Sequence, residues 1–167
     1  MSIKASTPPR REIADRVLAE VITHLQGEIG VRRYLGDSYW APDYKQKLKP
    51  AERAADVSDD LSRRNRLLPA VGQEAQWCLF DPYIPCIFGL KFQSTRSPEH
   101  WAKQTEYLNR SPGQITAADR TDIPAFRCPE LYYLESGRHV SNDHVPLLWT
   151  QANLILAIRL REENCTP

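Results

Sequence analysis

The stretch QEAQWCLFDPYIPCIFGLKF, residues 73–92, decides most of the fold. Its aromatic and apolar side chains are so dense that we expect burial on nearly all sides. Two prolines, Pro82 and Pro85, interrupt it. Proline inside a helix loses a hydrogen bond and clashes with the preceding turn, at a cost of about 3 kcal/mol, so we expect a break near Asp81 unless Pro82 opens a second helix.

Upstream, an apolar repeat every four residues predicts an amphipathic helix that ends near Gly27 or Gly30. The stripe consists of Ile13, Val17, Val21, Leu25 and Ile29, with Leu18 and Ile22 alongside. Residues 1–10 hold two serines, a threonine and two prolines with little apolar content. They are expected to form a flexible, extended leader.

A second clear helix start lies at Ser97, where a serine N-cap precedes Pro98 and an acidic first turn. This helix is expected to end near Asn109. Between the first helix and the core stretch, residues 31–70 contain three prolines and a charged segment with few core positions. We therefore expect mostly loop there, with one short helix, which is typical of a functional loop or an insertion.

A cap at Asn142 or Asp143, with Pro146 just inside, predicts the start of the last helix. Apolar residues nearly circle its axis before it reaches a basic final turn. Residues 110–144 carry few periodic signals, and alternation of the strand type persists nowhere for more than a few residues. The sequence therefore predicts a mainly α-helical domain over residues 11–163.

Charge and composition exclude several classes of protein. The 22 Lys and Arg residues against 21 Asp and Glu give a formal net charge of +1, without the basic block expected of a nucleic-acid binder or a polybasic membrane anchor. Because no apolar segment suits a signal peptide or a membrane span, we expect a cytoplasmic address with neither nucleic acid nor membrane as partner. The 4 cysteines form no CxxC pair and lack zinc-site spacing, so we expect reduced thiols and predict no metal or other cofactor.

The chain has no Gly-rich phosphate loop, no GxSxG elbow and no HExxH motif, so its chemistry must come from carboxylates. Glu130 lies in CPELYY, where Tyr132 and a second tyrosine could form one wall of a sugar site. Arg33 and Asp37 in RRYLGDSYW suit a polyhydroxylated ring, and Trp77 in QEAQWCLFD offers an indole for stacking. Each also has a plainer interpretation: a capping or surface glutamate, an Arg–Asp pair across a turn, and a core tryptophan.

Five segments stand in this order along the chain: RRYLGDSYW, EAQWCLFDP, YLNRSPGQI, CPELYYLESG and NDHVPLLWTQANLILAI. Taken together, they resemble the C-terminal part of the glucoamylase-like proteins of glycoside hydrolase family 15. The likeness is closest to the branch that contains the alpha and beta regulatory subunits of phosphorylase kinase and their bacterial relatives. It covers most of residues 15–162.

The resemblance implies an (α/α)6 toroid of six helical hairpins, with a sugar-binding funnel at one end. In active members, two glutamates about 6.5 to 9.5 Å apart act by inversion, one protonating the leaving oxygen and the other activating water. Glu130 falls at the family's catalytic base, upstream of a helix that contains Trp149, although Leu131 replaces the usual glutamine. Arg33 matches a family arginine that holds the substrate sugar, with Asp37 at its acidic position. No segment corresponds to the general acid.

The length of the chain also falls short of a whole toroid. Twelve helices of about 11 residues, joined by loops of about 5, already need roughly 190 residues, whereas this chain has 167. We therefore expect an incomplete toroid, its C-terminal portion, from a truncated, split or alternatively started gene. Its uncovered inner helix faces predict exposed apolar surface and either self-association or a docked partner chain.

Three functions follow from these observations. The first is a non-catalytic module of α-glucan or glycogen metabolism that binds a glucan or oligosaccharide, because one carboxylate cannot supply both acid and base. The second is an inverting exo-α-glucan hydrolase, with Glu130 as general base and the acid supplied by a partner chain, by Glu74 or by Asp81. The third is a helical protein-interaction module without a sugar site.

Overall fold

The computed structural model describes residues 10–53, 59–119 and 121–166. About half of the chain is helical, as a mainly α-helical class requires, and one small antiparallel sheet accompanies the helices. The α-helices of the described residues are α1 (Arg10–Glu20), α2 (Tyr44–Lys47), α3 (Leu61–Leu67), α4 (Tyr83–Thr95), α5 (Pro98–Arg110) and α6 (Leu148–Cys165). The sheet has the order β1 (Gln76–Trp77), β2 (Leu131–Glu135), β3 (Arg138–Ser141).

The first predicted helix is present, but it ends at Leu25, before Ile29, and two residues of its predicted apolar stripe, Ile13 and Val17, are exposed. α1 continues directly into a π-helical segment, Val21–Leu25, and the chain then becomes extended. Its inner side packs Leu18 against Ile84 of α4, with other apolar side chains around them. Of the predicted leader, residues 1–9 lie outside the described residues, and Arg10 already belongs to α1.

The core stretch contains a helix that begins after its first proline. Pro82 is the N-cap of α4, and Pro85 lies in the first turn, where its missing N–H costs no intrahelical hydrogen bond. α5 begins at Pro98 after Ser97, as predicted. Because only two residues separate the helices, the first of them Arg96 in the left-handed conformation, α4 and α5 form a helical hairpin.

The last helix, α6, turns a partly polar face inward. The Thr150 hydroxyl donates to the Pro129 carbonyl (3.0 Å), the Asn153 amide to Leu79 (2.8 Å) and the Asn164 amide to Gly89 (3.2 Å). Each buried polar group thereby gains a partner, which removes the penalty of its burial. The exposed side of the helix is apolar and includes Leu148, Trp149, Ile155, Leu156 and Ile158.

The predicted start of α6 is wrong. The helix begins at Leu148, several residues beyond the expected cap at Asn142 or Asp143, and Pro146 lies ahead of it. The Asn142 side chain donates instead to the carboxylate of Glu130. A cap residue that is engaged elsewhere cannot satisfy the first N–H groups of a helix.

Residues 110–144 carry few periodic signals in the sequence, yet β2 and β3 form a hairpin there. The two strands have only 5 and 4 residues, too few for a long alternating pattern. Ser136 and Gly137 make the two-residue turn of the hairpin, both with positive φ, as this turn requires. One face of the hairpin joins the main core, which includes Trp40, Tyr44, Leu67, Trp77, Leu131 and Tyr133. Since side chains alternate along a strand, Tyr132 lies on the opposite face.

Residues 31–70 are mostly irregular, as predicted. They contain the short helices α2 and α3 and a 3-10 turn at Pro50–Glu52, while residues 54–58 lie outside the described residues. Despite its irregular path, this segment supplies large side chains to the main core, such as Trp40 and Tyr44. The loop is therefore part of the packed domain.

All four cysteines are free thiols. Burial raises the pKa of Cys78 well above its usual value, and burial also raises the pKa of Cys86 and of Cys128. Such thiols stay protonated and act as packing groups. Within the described ranges, no helix has the length and apolar character needed to cross a membrane, and no three His, Cys, Asp or Glu side chains cluster in a way that suits a metal ion.

Candidate functional site

Glu130 lies just before β2, and its carboxylate is held from one side. Its Oε2 accepts a hydrogen bond from Asn142 Nδ2 (2.7 Å) and lies 2.6 Å from His144 Nδ1. Its Oε1 has no hydrogen-bond partner within the described part of the chain, and the side chain is 17% exposed. Glu130 therefore presents one anchored and one open carboxylate oxygen.

The backbone around Glu130 is also fixed. Its N–H donates to the His144 carbonyl (3.2 Å), and its carbonyl accepts from Cys78 N–H (2.9 Å) at the end of β1. The His144 ring, which is about half exposed, packs edge-on against Trp40 with ring centroids 6.0 Å apart. The carboxylate thus stands at the rim of the aromatic core, on a rigid support.

Beside this carboxylate, Lys45 Nζ pairs with Asp143 Oδ2 at 3.1 Å. Partial burial raises the pKa of Asp143, but the hydrogen bond and charge of Lys45 outweigh it and hold that pKa below its ordinary value. Asp143 is therefore ionised at neutral pH. It therefore cannot act as the general acid that hydrolysis would need in addition to Glu130 as general base.

The Arg33 guanidinium is oriented by Asp37. Its Nε and Nη2 donate to Asp37 Oδ2 (2.6 Å) and Oδ1 (2.7 Å). The Asp37 side chain has no exposed surface, whereas that of Arg33 is 28% exposed. A ligand can reach the guanidinium but not the carboxylate, so we revise the predicted role of Asp37 from ligand binding to positioning of Arg33.

Trp77, the predicted stacking surface, is only 6% exposed. The Arg33 guanidinium lies 4.7 Å from the centroid of its ring, and the Tyr39 ring stacks near it at a centroid distance of 6.1 Å. The indole is therefore covered by protein groups and unavailable to a sugar. It is a core residue that supports Arg33, which matches the plainer interpretation of the sequence.

An exposed indole is present at the start of α6. Trp149 is 58% exposed, and the hydroxyl of its neighbour Thr150 donates to the carbonyl of Pro129, the residue before Glu130. A flat, exposed indole suits a sugar ring, and Trp77 is covered, so Trp149 becomes the candidate stacking residue on the ground of its exposure.

Tyr132 faces away from these residues. It is paired in the sheet with Gln76 and Ser141, and its hydroxyl donates to the Gln114 carbonyl (3.0 Å). It lines a separate cavity of about 380 Å³ on the other face of the hairpin. The structure therefore does not bring Tyr132 together with Trp77, and we remove it from the site around Glu130.

Glu74, one predicted source of the acid, is a buried structural carboxylate. It accepts from Gly36 N–H (2.8 Å) and Gly72 N–H (2.6 Å), and Arg32 Nε lies 3.3 Å away. Its side chain has no exposed surface. A general acid must reach the leaving oxygen of an external substrate, which Glu74 cannot do in this position.

Asp81, the other predicted source, is equally enclosed. It accepts from Arg110 Nε (2.9 Å) and Ser111 Oγ (3.2 Å), and its side chain has no exposed surface. Burial raises the pKa of Asp81, although the Arg110 hydrogen bond and charge oppose that effect. Arg110 Nη2 also donates to the carbonyls of Gly27 and Gly30, so the carboxylate orients an arginine that clamps the turn after the first helix.

Two buried polar atoms beside the site lack a hydrogen bond among the described residues: Trp40 Nε1 and Asn142 Oδ1. Trp40 contacts His144 and Asn142 contacts Glu130, so both belong to the support of the carboxylate. One is a donor and the other an acceptor. Because both atoms are enclosed by protein, they belong to the interior of this support and are not ligand-binding groups.

Sequence reasoning missed Asn142, His144 and Trp40 as site residues. All three stand in segments that carry the family resemblance, RRYLGDSYW and NDHVPLLWTQANLILAI. Their proximity to Glu130 depends on the β2–β3 hairpin, which returns the chain to the start of β2. An early sign of that hairpin was the Ser-Gly pair between two short β-prone runs.

No protein-family model matches the chain, and no curated protein matches it. The kinship with glucoamylase-like proteins therefore stays a prediction. The geometry around Glu130 is the feature of this chain that bears on its function.

Proposed function

We propose that this chain is a glucan-binding module of the glucoamylase-like type, connected with α-glucan metabolism and non-catalytic by itself. The observation that carries the proposal is the state of the Glu130 carboxylate, which is anchored through Oε2 and open at Oε1. Such a carboxylate accepts a hydrogen bond from a sugar hydroxyl. Charge-assisted hydrogen bonds of this kind are about twice as strong as neutral ones.

Three further groups suit a polyhydroxylated ring. Arg33 offers a partly exposed guanidinium that Asp37 holds in place, Trp149 offers an exposed indole, and His144 offers a half-exposed imidazole next to the carboxylate. Charged forks and aromatic faces are the groups that bind a sugar's hydroxyls and its apolar ring face. The proposed ligand is therefore an α-glucan or a short oligosaccharide.

The lack of a proton donor supports binding without hydrolysis. Among the acids considered, Glu74 and Asp81 are enclosed and Asp143 is held ionised by Lys45. Inverting hydrolysis needs a protonated acid across the bond from the base. In this proposal the helical hairpin α4–α5 and helix α6 belong to the C-terminal portion of an (α/α)6 toroid, and the protein is cytoplasmic.

The test uses the indole N–H signals of the four tryptophans in ¹⁵N-labelled protein titrated with maltotriose. We expect the Trp40 and Trp149 signals to move, because Trp40 contacts His144 and Trp149 begins α6. The Trp101 signal should stay, since that ring lies on α5 against Arg161. A folded protein whose four signals all stay in place at saturating sugar would contradict the proposal.

The matched variants are Glu130→Gln and Glu106→Gln. The first removes the charge at the site, and a hydrogen bond to a charged group is worth enough that affinity should fall about tenfold or more. Glu106 is an exposed glutamate of α5 that pairs with Lys103, so its variant should bind like the wild type. Equal loss in both variants would count against a site at Glu130.

Glucose release from maltose and longer glucans separates binding from hydrolysis. We expect none from the purified chain. Release that Glu130→Gln abolishes would replace the proposal with the exo-hydrolase, and the acid would then have to come from a second chain. Absent binding and absent release together would favour the protein-interaction module.

A further inference from the structure

The exposed side of α6 carries a regular stripe. Ala152, Leu156, Arg159 and Glu163 follow one another at helical spacing, and all four are exposed. No ion pair joins Arg159 or Glu163 to another residue in the described part of the chain. The stripe is therefore apolar in its first half and holds two unpaired charges of opposite sign in its second half.

The exposed side of the first helix carries a stripe with the same spacing. It consists of Ile13, Val17, Glu20 and His24, of which Ile13 and Val17 are large exposed apolar residues. Glu20 Oε2 lies 3.3 Å from His24 Nε2, so an incoming Arg159 would share this carboxylate with the imidazole. Together with neighbouring side chains, these residues line an open groove of about 560 Å³. Exposed apolar surfaces of this kind mark interaction sites.

The two stripes lie on opposite flanks of α4. Ile84, Ile87 and Phe88 of α4 pack towards α1, whereas Cys86 and Gly89 contact α6. These two sets of positions are separated by about half a helical turn. One flank of the molecule can therefore meet the opposite flank of another copy, which is a head-to-tail contact.

A parallel alignment of the stripes pairs every position with a suitable partner. Leu156 would meet Val17, Arg159 would meet Glu20 and Glu163 would meet His24, with Ala152 opposite Ile13. An antiparallel alignment on the same Leu156–Val17 contact would place Arg159 opposite Ala14 and leave its charge unpaired. Complementary charges fix the register and direction of helix pairing.

We propose that a second copy of this chain covers the outer stripe of α6 with the first helix, in a parallel, head-to-tail contact. The apolar halves of the stripes are buried against each other, and the Arg159–Glu20 pair sets the register. The contact is heterologous, so successive copies form a closed ring or an open chain. It does not depend on the glucan site, which lies at Glu130.

The test is charge exchange, with mass measured by light scattering after gel filtration over a range of concentrations. Arg159→Glu and Glu20→Arg should each weaken association about tenfold, because each replaces an attraction by a repulsion. The double variant, with both changes in one chain, should regain association because the pair is restored with reversed signs. Arg66→Glu, an exposed site on α3, is the matched control and should associate like the wild type.

Circular dichroism identifies any variant that fails to fold, and Leu156→Glu provides a second disruption within the apolar half. A wild type that stays monomeric at all concentrations would overturn the proposal. So would association that persists in both single variants, or a folded double variant that stays monomeric. An equimolar mixture of the two single variants should regain association in which the variants alternate, since positions 159 and 20 carry opposite charges at both junctions between unlike variants and like charges at junctions between identical ones.

Discussion

Replacing Gly89 by alanine tests the packing of α4 against α5 and α6. A Cβ at Gly89 would lie 2.4 Å from Gln104 Nε2 and 2.9 Å from Leu160 Cδ2. Both distances are shorter than real Cβ contacts, so these neighbours have to move. Gln104 is fully buried, and its Oε1 accepts a hydrogen bond from Asn164 Nδ2 (3.0 Å). Displacing Gln104 therefore breaks a buried hydrogen bond as well.

Three effects set the expected magnitude. Overpacking costs about 1 to 3 kcal/mol, and loss of the Asn164–Gln104 bond adds about 1 kcal/mol. The higher helix propensity of alanine returns about 1 kcal/mol. The net loss in the free energy of unfolding is about 2 kcal/mol, which corresponds to a fall in Tm of about 4 to 8 °C for a chain of this size.

The assay is urea denaturation followed by far-UV circular dichroism, with Gly113→Ala as the control. A Cβ at Gly113 meets no atom within 4 Å, and its φ is not in the left-handed range. The control should therefore unfold at nearly the same urea concentration as the wild type. If Gly89→Ala proves as stable as the wild type, or more stable, the inferred close approach of Gln104 on α5 and Leu160 on α6 to Gly89 is incorrect.

Two further predictions concern α6 and the surroundings of Glu130. Asn153→Ala should lower the free energy of unfolding by about 1 to 3 kcal/mol, because the Leu79 carbonyl loses its donor; Gln151→Ala is the control in the same urea assay. Burial raises the pKa of Asp143, but Lys45 lowers it by more, so the pKa in the folded protein is below the ordinary aspartate value. The Lys45–Asp143 pair therefore stabilises the fold at pH values above the ordinary aspartate pKa, and this stabilisation is lost as the pH falls through the lowered pKa. In Lys45→Met, the free energy of unfolding should fall less steeply at acid pH than in the wild type. Identical pH dependence of the free energy of unfolding in the two proteins would refute the pairing.

The helices that begin with proline were predictable because their start signals are local. Pro98 is positioned by its own fixed φ and by its missing N–H, whatever the rest of the fold does. The same holds for Pro82, which the sequence left as either a break or a helix start. The four-residue repeat of the first helix was equally informative, since its apolar stripe needs a partner surface of any kind.

The site was harder to predict because its parts meet only through tertiary contacts. Asn142 has the chemistry of a helix cap, but the partly exposed Glu130 carboxylate takes its amide instead. Asp37 and Trp77 have the right chemistry for sugar binding, yet Arg33 covers both of them. Residue type alone cannot show which polar group is turned inward, because that depends on which partner lies nearest in space.

The inward hydrogen bonds of α6 also determine how freely its sequence can be altered. A helix with a purely apolar inner face can shift or rotate on its neighbours at small cost. In α6, however, Thr150, Asn153 and Asn164 donate hydrogen bonds to carbonyl groups of three separate segments. Only one rotation of α6 about its axis and one position along that axis allow all three hydrogen bonds to form together. The exposed side chains of α6 consequently contribute little to the position of the helix. They can be replaced by lysine and glutamate without shifting α6 relative to Glu130.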